Sequence, residues 1–470
     1  MFEKPIKSSG IMVIDDTLKL TFVIVILLVT NLAVVLNKVR SLNFNLDVNI
    51  VIFGSIFIFV LITVIVNMIK WNIMYFSYSN KKITVYKNIV IKDAIEFSIK
   101  NISAIVMEES FIDKIFRVCR LKIYTYGLNN YSCDLEVVYN KEKCLKLRDE
   151  IISDLEEKID YELESNKCDI KINFKNVVLH SFFNLPFTQI FVIINAILII
   201  FFSVNESSSI KDAFLNLLGE LITVVGILIP VLYNFLKSIV TFYGLKLDRN
   251  GDFLHIKYGF LSTKRYIIPI SKIKGIILKE TLLSRIFNYV SVNVICPGIT
   301  DNKNELKIIL PMIKRKNVNE LILKILYDNN YNAESKDINQ PKEVIKSIIF
   351  YTLIVNAIIL PILIYYNILN IYILAVILFS FVVIILAYYF KRIQVYDTYF
   401  TISTGVFVKK KVIIKYKDVK FFKIRKDPIL AKYGINIIAI YITSGFKNRR
   451  HSLGYVNYNN ANEVLSRIFI

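Results

Sequence analysis

Histidine, tryptophan and every familiar catalytic fingerprint are scarce or missing in this chain. It holds three histidines (His180, His255 and His451) and one tryptophan. None of the histidines stands in an HExxH pattern or beside a plausible metal ligand, so neither a metal centre nor general-base chemistry is expected from them. No GxGxxG, GxxxxGK[ST] or GxSxG string occurs. The stretch DRNGD (Asp248–Asp252) lacks the ligand spacing and closing Glu of a calcium loop and reads as a hairpin turn. The five cysteines (Cys119, Cys133, Cys144, Cys168, Cys296) show no CxxC spacing and read as scattered free thiols of a reducing compartment. No catalytic residue, metal or cofactor is expected, and the chain reads as a non-enzyme.

Charge is nearly missing from the long apolar runs, and that points to membrane helices. Hydrophobic residues make up 55% of the chain, yet the formal net charge is +21. Such values coexist only if apolar and basic segments are segregated. Six runs approach the ~20 residues needed to cross a bilayer core. They fall into three pairs: Leu20–Asn37 with Val48–Ile69, Ser181–Asn205 with Ala213–Leu236, and the uncharged stretch Ser347–Phe390 split around Tyr365–Asn370. The first run has no small-residue cleavage site behind it and is expected to be a retained anchor. Prolines at 186, 230 and 361 predict kinks, and Glu220 is the one carboxylate within the runs. Leading helices share an asparagine, Asn31, Asn195 and Asn356. An amide in hydrocarbon seeks a partner across a helix interface, so these three are expected to pack the bundle.

The short loops between paired runs carry few basic residues, whereas the long segments 70–180, 237–346 and 391–470 carry 18, 19 and 16. Lys70, Lys237, Lys391 and Arg392 stand directly at helix ends. Positive charge accumulates on the cytoplasmic side, which places both termini and all three long segments in the cytoplasm of a six-span protein of the cell membrane.

The long segments repeat. YGFLSTKRYIIPISKI (Tyr258–Ile273) aligns without a gap with TGVFVKKKVIIKYKDV (Thr404–Val419) at an offset of 146, and with KNIVIKDAIEFSIKNI (Lys87–Ile102) at 171. The same offsets carry LLSRIFNYVSVNV (Leu282–Val294) onto PILAKYGINIIAI (Pro428–Ile440) and FIDKIFRVCRLKI (Phe111–Ile123). Tyr266, Ile268 and Ile270, with their counterparts Val412, Ile414, Tyr416 and Ile95, Phe97, Ile99, form a conserved apolar strand face. The opposite face varies, the period-2 mark of a half-buried strand. Asn88 stands where the other copies carry the turn glycines Gly259 and Gly405, and asparagine also tolerates a positive φ. Closing amphipathic helices are expected at Glu142–Ile159, Val318–Tyr327 and Asn460–Ile468.

The predicted fold is therefore a multi-domain α/β membrane protein. Three transmembrane helical hairpins alternate with three small β-sandwich or barrel domains, each closed by a C-terminal helix. The expected boundaries are a cytoplasmic N-terminus at 1–19, hairpins at 20–69, 181–236 and 347–390, and β domains at 70–180, 237–346 and 391–470. Counting Lys and Arg against Asp and Glu, those β domains carry about +1, +9 and +12. The turn, basic tip, P-[IL]-S-K-I strand and LLSRIFNYVSV segment resemble bacterial pleckstrin-homology-like domain membrane proteins of the YdbT-like family. That resemblance implies PH-like domains without known catalytic residues, a place in cell-envelope stress or resistance to membrane-active peptides, and pairing with a smaller single-repeat membrane protein of the same family.

Basic residues at the hairpin tips (Lys264 and Arg265; Lys409, Lys410 and Lys411) and in the last turn (Lys447, Arg449 and Arg450) are the candidates for contact with anionic inner-leaflet lipid or a protein partner. A basic residue near an anionic leaflet gains about 1 kcal/mol. Nucleic acid is not the expected partner, because the strand pattern buries aromatics among those charges. The leading expectation is a non-enzymatic scaffold presenting PH-like domains; the alternative is a transporter or lipid-export component built on the six helices.

Overall fold

The computed structural model describes residues 4–30, 48–88, 92–125, 135–156, 168–185, 210–297, 310–326, 336–365, 371–443 and 448–457, together with 189, 193 and 466. The chain falls into two compact units. The first is Met1–Thr125, Cys133–Leu163 and Ser262–Arg265; the second is Tyr126–Ser132, Glu164–Leu261 and Tyr266–Ile470.

In the first unit, β1 (Ile6–Lys7), β2 (Met74–Ser79), β3 (Lys82–Asn88) and β4 (Lys92–Ser98) form an antiparallel sheet in sequence order. A second antiparallel set follows: β5 (Ile102–Glu109), β6 (Val118–Thr125) and β7 (Leu135–Asn140), then the helix Lys141–Glu156. Phe76, Ile83, Val85 and Phe97 of the first set and Ile105, Leu121 and Ile123 of the second are buried, as are Leu147 and Ile151 on one face of the helix. Asn88 is the last residue of β3, and the turn that follows it, residues 89–91, lies outside the described residues.

The second unit holds the rest: β8 (Cys168–Lys171), β9 (Lys246–Asn250), β10 (Phe253–Tyr258), β11 (Thr263–Pro269, from Tyr266 onward), β12 (Gly275–Thr281), β13 (Tyr289–Ile295) and β14 (Leu310–Lys314). It continues with β15 (Lys336–Ile338), β16 (Arg392–Val395), β17 (Tyr399–Thr404), β18 (Val408–Lys415), β19 (Val419–Lys426), β20 (Ile435–Thr443) and β21 (Asn448–Asn457). β19, β20 and β21 form a three-stranded antiparallel sheet. Its Ile438, Ile440, Ile442, Leu453 and Val456 pack on Ile393, Phe400, Ile402, Val412 and Ile414 of β16, β17 and β18, which makes a two-layer sandwich.

Two features of this topology lie outside the sequence reading. The first strand of each domain precedes the apolar helices of its repeat: β1 pairs β2, β8 pairs β9, and β15 pairs β16, each across the apolar segment. Cys168–Lys171, placed by sequence in the first β domain, is thus a strand of the sheet containing β9, and Lys336–Ile338 likewise joins β16. The other feature is a seam. β12 and β18 pair antiparallel over seven consecutive positions, from Gly275 opposite Ile414 to Thr281 opposite Val408. They merge β14, β13, β12, β18, β17, β16 and β15 into one seven-stranded sheet.

Backbone geometry bears out the repeat independently of side-chain pattern. Arg117, Asn288 and Gly434, related by the offsets of 171 and 146, all adopt positive φ, at 52°, 58° and 66°. Each follows a short helical turn whose first residue accepts backbone hydrogen bonds. Ser110 accepts from Asp113 N at 3.2 Å and Thr281 from Ser284 N at 3.3 Å, each closing a capping box. Asp427 accepts from Ile429 N at 3.0 Å and Leu430 N at 3.3 Å.

Among the described residues one helical segment, Val224–Phe242 within the helix Ile210–Phe242, is long and apolar enough to cross a membrane. Shorter apolar stretches lie at Phe57–Ile73, Val344–Ile358 and Phe381–Phe390.

Candidate binding surfaces

The basic residues singled out by sequence have different surroundings. Lys264 and Arg265 belong to the first unit, where Lys264 lies 3.4 Å from Glu108 and Arg265 3.9 Å from Glu109. Burial works to raise the Glu108 carboxyl, but Lys264 and Lys122 together outweigh it and hold its pKa at about 2. These two bases are therefore part of an internal charge balance.

Lys409, Lys410 and Lys411 are not a free hairpin tip. They lie on β18 opposite Glu280, Lys279 and Leu278 of β12, and only Lys410 is exposed. Burial lowers the Lys411 and Lys409 ammonium pKa values, with neighbouring Lys409 adding to the effect on Lys411. The strand edge that period-2 reasoning left open is filled by β12. Arg285 donates to Val406 O at 3.1 Å beside the same turn. Arg449 and Arg450 stand on β21 opposite Ile442 and Tyr441, and Lys447 lies outside the described residues.

The exposed basic surface is the strand after the seam. On β19, Lys420, Lys423, Arg425 and Lys426 are exposed, and Phe421 and Ile424 stand among them at 41% and 44% exposure. Phe421 stacks on Tyr441 at 4.4 Å between ring centroids, which holds an aromatic ring beside four cations. The period-2 pattern of the quoted strands is also incomplete. Ile267 and Ile413, assigned to the variable face, are as buried as their neighbours, so β11 and β18 are covered on both faces there.

The asparagines divide similarly. Asn31 and Asn195 lie outside the described residues. Asn356 donates to Thr352 O of its own helix at 2.9 Å. Among the described residues, Asn67, 6% exposed, is a buried interhelical amide that donates to Thr17 Oγ1 at 3.1 Å between the helices Val48–Ile73 and Ile11–Thr30. Beneath it lies a cavity of about 140 Å³ lined in part by Asp16, Asn67, Lys70 and Trp71. The Trp71 indole donates to Ser8 O at 2.7 Å and carries Lys7 Nζ 3.8 Å from its ring centroid.

His180 is fully buried on the helix Phe174–Phe183, ahead of the second apolar pair, with its ring edge-on to Phe242 at 5.2 Å. Neither ring nitrogen has a hydrogen-bond partner among the described residues. Burial, reinforced by Lys279, pushes its pKa down to about 4. As pH falls below the unfolded value of 6.5, the unfolded chain takes up this proton first, so stability drains away between about pH 6.5 and 4. The maximal loss is about 3 kcal/mol. Thermal unfolding of the purified chain across this range should show that loss, and His180→Phe should flatten it. An unchanged acid limb in the variant would exclude His180 as its source.

Among the described residues no cluster of three or more His, Cys, Asp or Glu could hold a metal. Three sandwich-forming strand sets, each with a leading strand ahead of an apolar segment, define a chain of concatenated PH-like domains. The bacterial PH domain model matches residues 19–154, 189–329 and 349–469, and the chain belongs to that family. It is similar to the UPF0699 transmembrane protein YdbT of Bacillus subtilis (strain 168), with 19% identity over 339 residues, covering 67% of this chain and 68% of that protein. No solved structure matches the chain.

Proposed function

We propose that the chain is a non-enzymatic, multi-pass membrane scaffold that presents PH-like domains on the cytoplasmic side, where the third domain touches anionic inner-leaflet lipid. The six apolar runs supply the spans. Exposed apolar side chains such as Phe57, Ile58, Ile229, Leu232, Ile358 and Leu378, all at least 56% exposed, fit helices solvated by lipid. The transmembrane character of the Bacillus relative supports the same reading.

The observation that carries the lipid contact is the exposed row on β19. Four cations, an aromatic and an aliphatic side chain are exposed along one accessible strand. Cations add about 1 kcal/mol each near an anionic surface, and the exposed apolar groups can enter the headgroup layer. The test uses the full chain in nanodiscs of anionic or zwitterionic lipid, with amine acylation of Lys420 and Lys423 followed by mass spectrometry. Anionic lipid at low salt should slow acylation several-fold, and high salt should erase the difference. Equal reactivity in both lipids under all conditions would reject lipid contact at this strand.

A further inference from the structure

β12 and β18 show how this protein joins PH-like domains: the edge strand of one domain's three-stranded set pairs antiparallel with the edge strand of the next domain's four-stranded set. The repeat offsets identify the equivalent edges elsewhere. β4 is the first-copy counterpart of β18, and β19 is the third-copy counterpart of β12. Each ends its sheet, β4 after β3 and β19 before β20, and among the described residues no strand covers either outer edge. Ala94, Ile95 and Glu96 are exposed on β4, as are Lys420, Phe421 and Lys423–Lys426 on β19. A strand edge seven or eight residues long offers a row of backbone donors and acceptors to another strand.

We propose that β19 of one chain pairs antiparallel with β4 of a second copy, repeating between molecules the seam that β12 and β18 make within one. Transferring the observed register places Phe421 opposite Phe97, Lys423 opposite Ile95 and Arg425 opposite Asp93. Charge selects this pairing over the symmetric one. The eight residues of β19 carry +4 and the seven of β4 carry −1, so two β19 edges repel while β19 and β4 attract. Each copy then contributes one edge of each kind. The contact is head-to-tail, and the assembly closes into a ring or extends. Pairing engages the backbone edge and not the sheet faces, so it is independent of the lipid contact proposed above.

The test is site-directed cross-linking in native membranes of the full chain, with Cys133 and Cys168 changed to Ser. Two differently tagged chains, one carrying Ile95→Cys and the other Lys423→Cys, are co-expressed and oxidised. Directly opposed strand positions fall within disulfide reach. A product containing both tags is expected, several-fold more abundant than with Ile424→Cys, which faces the other side of the sheet. Both changes replace exposed side chains, and unaltered thermal unfolding of each variant confirms that the fold is kept. Three results would overturn the proposal: no two-tag product from folded variants, equal yields at positions 423 and 424, or capture of a smaller, different protein in its place.

Discussion

Replacing Arg120 by Leu should cost the first unit about 3–5 kcal/mol, the largest single-site loss expected in the chain. The guanidinium is almost wholly buried, with its side chain 4% exposed. It contacts Asp15 on the helix Ile11–Thr30, lies 3.0 Å from Asp113 through Nε, and reaches Glu136 at 3.5 Å. Asp15 and Asp113 are themselves 1% and 0% exposed, so removing the cation strands two carboxylates away from water. Burial opposes its charge, but Asp113, Asp15 and Glu136 outweigh that and keep the arginine more firmly protonated than usual. The repeat supplies a control. The positions of Asp113 and Arg120 are Ser284 and Ser291 in the second copy and Leu430 and Ile437 in the third. The same fold therefore accepts an ionic, a hydroxyl or an apolar pair there. The triple variant Asp15→Leu, Asp113→Leu, Arg120→Ile should recover most of the stability lost in Arg120→Leu, as measured by thermal unfolding and protease resistance in detergent. A single variant as stable as the parent would show that the cluster does not hold the unit together.

Gly275→Val should open the seam between β12 and β18. A Cβ at this position would stand 2.7 Å from the backbone oxygen of Ile413 and 3.2 Å from Cδ1 of Ile295. The first contact is with main chain of the paired strand, so relief requires the two strands to separate. Overpacking of this kind costs about 1–3 kcal/mol. The expected readout is faster limited proteolysis and a lowered unfolding midpoint. Gly226→Ala is the matched control: it lies inside the helix Ile210–Phe242 with no atom within 4 Å of the added methyl. Its effect should be neutral or slightly stabilising. Equal behaviour of the two variants would remove the seam as a determinant of stability.

The repeat was legible in sequence because its signals are local and dense. A gap-free register, alternating apolar residues and turn positions survive substitution, and Arg117, Asn288 and Gly434 show that even unlike residues hold one backbone conformation. The closing helix expected at Val318 begins there. The leading strands were not legible, since β1, β8 and β15 have two, four and three residues, too few to show any period. The partners of β18 and Lys264 escaped for a different reason. Period-2 patterning reports which face of a strand is buried but carries no information about which strand lies along its edge. Three lysines in a row therefore read as an open tip, although β12 runs beside them. The capped turn at Asp427 and the Arg120 cluster are visible only once positions 110 to 120 are aligned across all copies.

The placement of β8 before its apolar segment and β9 after it bears on synthesis. Lys171 leaves the ribosome 75 residues ahead of Lys246, its partner in the sheet. At ~5–20 residues per second that interval lasts several seconds. During it the leading strand has no ladder to join, and the greasiest part of the repeat is emerging behind it. Each domain can therefore close only after its whole apolar segment has been synthesised, and the finished sheet ties together the two ends of that segment.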